Sequence, residues 1–194
     1  VPYLLLGAAA YPVLFLYDLF ALRKRRLLSW ASGALGVALL AAAFALIVRT
    51  APRLAFPAAV TIAGWIGAPP AFLLLIYSLF AELPLAQAKL AGSGLAPGRP
   101  ALVVTGTYAL TRHPGVLWWA LLLVCLAAAE GRPLLFAAAA VWTAANALYV
   151  AAQERYLFTR LFGPSYEAYR RTTPMLIPTP ASLRRCLATW RGGA

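Results

Sequence analysis

The sequence predicts an all-α integral membrane protein with about five transmembrane helices and a C-terminal segment on the cytoplasmic side. Three observations carry this. First, 63% of the residues are hydrophobic and only 11% are charged, with a mean hydropathy of +0.78, whereas a soluble domain is roughly a quarter charged. Second, several apolar runs approach the ~20 residues that a helix needs to cross a bilayer. Third, the 17 Lys and Arg residues gather beside those runs and mostly fall on one side of the resulting topology.

The first span covers residues 2–22. It is followed by the basic cluster Arg23-Lys24-Arg25-Arg26, with no basic region before it and no clear cleavage site, so a retained N-terminal anchor is expected. Asp18 lies about one turn from that cluster and reads as a snorkelling or ion-pairing carboxylate. The second span covers 29–48, between the cluster and Arg49/Arg53. The third stretch, 54–81, carries Pro57, Pro69 and Pro70; at about 1.5 Å per residue it crosses once, tilted or kinked, and is too short to cross twice. Glu82 closes it, with the same ambiguity as Asp18.

A mixed segment, 82–114, follows and includes Gln87, Lys89 and the Gly/Pro-rich run Gly92 to Pro100. Apolar runs 115–129 and 134–152 flank Glu130-Gly131-Arg132-Pro133, whose turn chemistry predicts a helical hairpin. The domain division expected is therefore 1–81, the three N-terminal spans, and 82–194, which holds hairpin 115–152 and the C-terminal segment.

An odd number of spans puts the termini on opposite sides. With the 23–26 cluster inside, fourteen of the 17 basic residues are cytoplasmic and only Arg49, Arg53 and Arg132 are outside. The expected location is a bacterial cytoplasmic membrane, N-terminus outside and C-terminus inside; the bacterial source rests on the abundance of Ala, Leu and Arg. A net charge of +12 fits anionic headgroups better than nucleic acid, because the basic residues do not alternate with aromatics on a polar surface. Cys125 and Cys186 form no paired motif, and with one His and five acidic residues no zinc or iron site is expected.

The polar islands carry the chemistry. Residues 105–114, Thr-Gly-Thr-Tyr-Ala-Leu-Thr-Arg-His-Pro, hold the chain's one histidine. Gly106 permits a tight turn, and Pro114 suits the first turn of a helix whose free N–H groups favour a carboxylate or phosphate beside Arg112 and His113. The second island is Gln153-Glu154-Arg155-Tyr156. Downstream, Leu157, Phe158, Leu161 and Phe162 have the spacing of an amphipathic helix lying on or against the membrane. Gly163-Pro164 ends it, and Ser165 can cap a further short helix bearing Tyr166, Tyr169, Arg170 and Arg171. Singly, each of these residues is as readily structural as functional.

In combination, Gly-Thr-Tyr-x3-Arg-His-Pro (106–114), an apolar hairpin, Glu154, Phe162-Gly163-x2-Tyr166-x2-Tyr169 and Pro-x2-Ile-Pro (174–178) resemble the isoprenylcysteine carboxyl methyltransferase family over residues 95–180. That resemblance implies an integral-membrane enzyme using S-adenosylmethionine, with S-adenosylhomocysteine as product. It also implies a cytoplasmic C-terminal cofactor-binding segment and a lipophilic or lipid-linked acceptor entering from the bilayer. Carried over by motif, Tyr108, Arg112, His113, Pro114, Leu117, Glu154, Phe162, Tyr166 and Tyr169 line the cofactor site, and Arg112, Glu154 and Arg155 carry catalysis. Glu154 is expected to hold an amino or hydroxyl group of the cofactor, and the two tyrosines to close the pocket. The family's prenylcysteine pattern is broken at Gly115, Val116, Val150 and Arg155, so the acceptor is expected to differ. The alternatives are an NADPH-dependent sterol or steroid reductase and a non-enzymatic membrane assembly or transport protein.

Overall fold

A computed structural model describes residues 1–82 and 102–191. The expected loop 92–100, with Gln87, Lys89 and Arg99, lies outside the described residues. The described residues are all-helical, with no strand among them, and 82% of them are in helix. The helices are α1 (Pro2–Ala8), α2 (Ala10–Leu22), α3 (Arg26–Thr50), α4 (Ala58–Ile76), α5 (Thr107–Leu110), α6 (Pro114–Glu130), α7 (Pro133–Gln153), α8 (Thr159–Phe162), α9 (Pro164–Thr172) and α10 (Pro180–Arg191). Wider π-helical turns extend α4 over Tyr77–Glu82 and join α7 to α8 over Glu154–Phe158.

Among the described residues, four helical stretches are long and apolar enough to cross a membrane: Pro2–Leu22, Arg26–Thr50, Ala58–Glu82 and Pro133–Phe162. Helices occupy all five expected span positions, but α6 has only 17 residues, about 26 Å of helix against a hydrocarbon core of about 30 Å. The chain separates into two compact units, one of residues 1–69 and 120–150, the other of 70–119 and 151–194.

In the first unit, Ala9 interrupts the first span. Pro12 explains the break: it has no N–H for the Ala8 carbonyl and its ring crowds that position. The turn into α3 is a helix C-cap of the Schellman type. Lys24 takes a positive φ of 56°, its N–H reaches the Ala21 carbonyl at 3.0 Å, and Arg25 N–H reaches Phe20 at 2.9 Å. The hairpin then closes along small residues of α3. Ser29, Ser32 and Gly36 are buried, and Ser29 Oγ donates to the Tyr17 carbonyl at 3.1 Å. Gly36 leaves only enough room for Leu14 and the Ala10 carbonyl. Small faces of this kind let helices approach closely in lipid, where packing rather than hydrophobicity drives association.

A second close approach joins α4 to α6, where a Cβ on Gly64 would meet the backbone of Cys125 and Ala129 at 2.6 and 2.5 Å. Trp142 of α7 is fully buried and donates its indole N–H to the Leu4 carbonyl at 3.0 Å. The 130–133 turn forms as expected: Gly131 has φ 63° and its carbonyl accepts from Leu54 N–H at 2.8 Å. Asp18 accepts from the Tyr149 hydroxyl at 2.7 Å.

In the second unit two expectations change. Residues 157–162 do not form a separate surface helix; they continue from α7 through the π turn, because no breaker intervenes before Gly163. Nor does Ser165 cap α9. Gly163 is the cap residue, with φ 55° and no side-chain cap bond, and the helix starts at Pro164, whose fixed φ and missing N–H suit that position. Helix α10, unforeseen in the sequence reading, starts with a reciprocal cap. Ser182 N–H donates to Thr179 Oγ1 at 3.1 Å, and Thr179 N–H to Ser182 Oγ at 2.9 Å.

Candidate functional site: a buried Arg–Glu–His cluster

The site lies within the second unit and starts from a turn. Gly106 has φ 59° and ψ −132°, a region nearly closed to residues with a Cβ, where strain is about 1–3 kcal/mol. A Cβ there would also collide with the Glu82 carboxylate. That carboxylate is buried and accepts the Thr107 N–H at 2.7 Å and the Thr107 hydroxyl. The turn is tied twice more: Gly106 N–H donates to Thr189 Oγ1 at 2.9 Å, and Tyr108 OH donates to the Ser78 carbonyl at 3.2 Å. Both Glu82 and Ser78 come from the π turn that ends the third span.

From this anchored turn, α5 runs for one turn and Thr111 exits in extended conformation. Arg112 and His113 then lie along residues 174–175, their N–H groups donating to the Pro174 and Met175 carbonyls at 2.9 and 3.3 Å. Pro114, fully buried, opens α6 as the sequence reading expected.

Backbone pairing on one side and the second π turn on the other bring the three ionisable groups together. Arg112 Nε donates to Glu154 Oε1 at 2.8 Å and Nη2 to Oε2 at 3.1 Å, a bidentate pair. Its Nη1 reaches the Thr173 carbonyl at 2.6 Å and the Arg170 carbonyl at 3.3 Å. His113 Nε2 lies 2.8 Å from Glu154 Oε1; the carboxylate only accepts, so Nε2 carries the proton and Nδ1 the lone pair when the ring is neutral. Arg170 Nε stands 3.6 Å from Glu154 Oε2 and its Nη1 3.2 Å from Glu167. Side-chain exposure of Arg112, His113 and Glu154 is 9%, 8% and 7%, so the cluster is largely removed from water. Burial disfavours the Arg112 charge, but its bonds to Glu154 and the facing carboxylate outweigh that and hold the guanidinium above its ordinary range.

Aromatic rings wall the cluster. His113 stacks on Phe158 at 6.0 Å between centroids, Phe158 meets Tyr166 edge-on at 5.5 Å, and Phe162 stacks on Tyr166 at 6.3 Å. Tyr169 meets Tyr166 edge-on at 6.0 Å and donates its hydroxyl to the Tyr108 carbonyl at 2.6 Å. Tyr166 is 2% exposed; its hydroxyl faces Glu154 and Arg112 but makes no hydrogen bond of good geometry among the described residues. Burial, then the Glu154 charge, raises the Tyr166 hydroxyl well above its ordinary range. Burial and the neighbouring Tyr166 do the same for Tyr169, and burial and Glu82 push Tyr108 up to about 12.

Of the residues picked out in the sequence, Arg112, His113, Glu154, Phe162 and Tyr166 thus meet in one cluster, with Tyr108, Tyr169 and Pro114 supporting it. Leu117 packs instead with Trp118 against Ala109, Leu110 and Cys186. Arg155 is not brought in: it is exposed, with its guanidinium 5.7 Å from the ring of its neighbour Tyr156, because successive helical residues point to different sides. Arg170, Phe158 and the carbonyls of residues 173–175 carry no site signal in the sequence. The terminal Pro-x2-Ile-Pro motif marked that last segment without revealing that its backbone is what it contributes. No family model, curated protein or solved structure matches this chain.

Proposed function

We propose that this chain is a membrane-embedded methyltransferase that moves a methyl group from S-adenosylmethionine to a lipophilic acceptor, with its site facing the cytoplasm of a bacterial cell. The observation that carries the reading is the buried Arg112–Glu154–His113 cluster, with the Tyr166 hydroxyl facing it without a well-formed bond of its own. A buried phenol in a poorly formed contact is a place where a polar ligand would complete the hydrogen bonding.

The groups present fit an amino-acid nucleoside. A carboxylate offers about four lone-pair sites. Arg112 and His113 occupy both on Glu154 Oε1, and Arg112 occupies one on Oε2. One site remains on Oε2, faced by Arg170 at 3.6 Å and by Tyr166; a ligand ammonium or ribose hydroxyl would take it by displacing those longer contacts. Arg112 commits four of its five N–H groups to Glu154, Thr173 and Arg170, leaving one for a ligand carboxylate alongside the half-exposed Arg170. The rings of Phe158, Phe162 and Tyr166 offer faces and edges to a purine.

Bound S-adenosylmethionine supplies a methyl group on a sulfonium sulfur, ready for in-line displacement. The chain's own residues then orient, desolvate and, where needed, take a proton. A carboxylate or thiolate acceptor needs no base once ionised. For an amine or phenol, His113 is the candidate base: Glu154 holds its Nε2–H, which leaves the Nδ1 lone pair to accept the proton. Arg155, exposed and beside Tyr156, is assigned no step in this scheme.

The test is to incubate membranes containing the chain with radiolabelled methyl donor and analyse the lipid extract. Label in a lipid-extractable product, absent with Glu154→Ala, is expected. Unlabelled extracts together with NADPH-dependent reduction of a lipophilic substrate would overturn the proposal in favour of a reductase.

A further inference from the structure

Helix α10 has two faces with different work. Its inner face holds the site's scaffold: Ser182 and Cys186 are buried, Thr189 receives the Gly106 N–H, and Arg185 Nη2 donates to the Thr172 carbonyl. Those bonds secure the two segments that place Arg112, the Gly106 turn ahead of it and residues 172–173, whose Thr173 carbonyl it grips. Its outer face is apolar and uncovered: Leu183, Leu187 and Trp190, at helical spacing, are 49%, 51% and 50% exposed, and Ile177 just before the helix is 81% exposed. Exposed Arg184 borders that stripe, and exposed Arg171 lies on α9 just before the helix. No acidic residue occurs between 168 and 194, and neither Arg171 nor Arg184 makes an ion pair among the described residues.

Leucines and a tryptophan beside unpaired arginines match the boundary of an anionic bilayer, where apolar side chains enter the acyl edge, indole sits at headgroup level and guanidinium meets phosphate. The position agrees with this. Trp190 stacks on Tyr77 at 5.6 Å, nearly parallel, and Tyr77 lies near the end of the apolar stretch Ala58–Glu82, so α10 is tethered to a helix long enough to cross a membrane. We infer that α10 docks on anionic phospholipid headgroups, and that docking fixes the segments that position Arg112, so that the site is complete only on a negatively charged membrane. The second half of this inference rests on the methyltransferase reading; the docking does not.

The test uses the full chain in nanodiscs of phosphatidylcholine alone or with about one third phosphatidylglycerol. Amide exchange over residues 180–191 is followed in both, together with S-adenosylhomocysteine affinity. Anionic lipid is expected to slow exchange by about tenfold, since each surface arginine is worth about fivefold in membrane partition. The slowing should fade in high salt and in Leu187→Ser and Arg184→Gln, both at exposed positions. Ligand affinity should rise several-fold with the same lipid. Equal exchange in the two lipids overturns the docking, as does protection that tracks protein concentration, which would give the face to a second copy of the chain. Lipid-dependent protection with no S-adenosylhomocysteine binding in any disc would support the docking and remove the methyltransferase reading. Binding that is tight and equal in both discs would keep that reading and overturn the coupling.

Discussion

Arg112 and Glu154, 42 residues apart, make a two-pronged contact at 2.8 and 3.1 Å where neither side chain is more than 9% exposed. The pair fixes the end of the Gly106–His113 segment to the end of the last apolar helix. Removing one partner leaves the other charged and buried, which costs about 3–5 kcal/mol. Arg112→Ala is therefore expected to lower thermal stability in detergent sharply and to abolish S-adenosylhomocysteine binding. Arg112→Lys should rescue neither in full, because an ammonium cannot span both carboxylate oxygens and the Thr173 carbonyl. Paired melting curves and titrations of the two variants check this.

Tyr166→Phe separates a ligand-binding role from a structural one. The hydroxyl is buried without a hydrogen bond of good geometry, and such a group costs about 1–3 kcal/mol. Its removal should leave the ligand-free protein as stable or more stable, while S-adenosylhomocysteine affinity falls about tenfold, one hydrogen bond's worth. A stability loss with unchanged affinity would assign the hydroxyl to the fold.

Gly106→Ala is expected to be severe for a small change. The new methyl group faces a positive φ and the Glu82 carboxylate, and backbone strain alone contributes about 1–3 kcal/mol. Because the turn leads directly to Arg112, ligand affinity should fall together with melting temperature. Ala at Gly115, where the nearest atom is a flexible Leu79 methyl at 3.1 Å, serves as the milder comparison.

Alkaline pH should destabilise the second unit through its tyrosines. Burial, with Glu82 facing it, holds Tyr108 near 12 in the folded protein against about 10 unfolded. Between those values the folded state binds more protons, so unfolding free energy falls as pH rises. The Tyr108 contribution is complete below pH 10 and is lost on approaching pH 12; Tyr166 and Tyr169 shift in the same direction. Ultraviolet difference spectra should show these tyrosines ionising late and together with loss of structure, and Tyr108→Phe should reduce the pH dependence.

The spans were legible because their signal is cumulative: twenty apolar residues outvote any single exception, and prolines and Gly131 mark the ends. Arg112, His113 and Glu154 were legible as rare polar residues in an apolar chain. What the sequence left open is geometry that depends on tertiary partners. Nothing local distinguishes Arg155, which points outward, from Glu154, which is buried; the π turn and the pairing with Arg112 decide it. The backbone carbonyls of residues 173–175 carry no side-chain signature, and Arg170 looked like any arginine on a short surface helix. Glu82 read as another interfacial carboxylate until the Gly106 turn closed on it. The cap residues Thr179 and Ser182 of helix α10 sit in a basic stretch whose composition does not mark a helix.

The central claim is that the Arg112–Glu154–His113 cluster holds a methyl donor, and calorimetric titration of the purified chain tests it most directly. S-adenosylmethionine and S-adenosylhomocysteine should bind with micromolar affinity at one site per chain, Glu154→Ala and His113→Ala should lose that binding, and Cys125→Ala should keep it. Binding of NADPH alone, or donor affinity unchanged in both Glu154→Ala and His113→Ala, would contradict it.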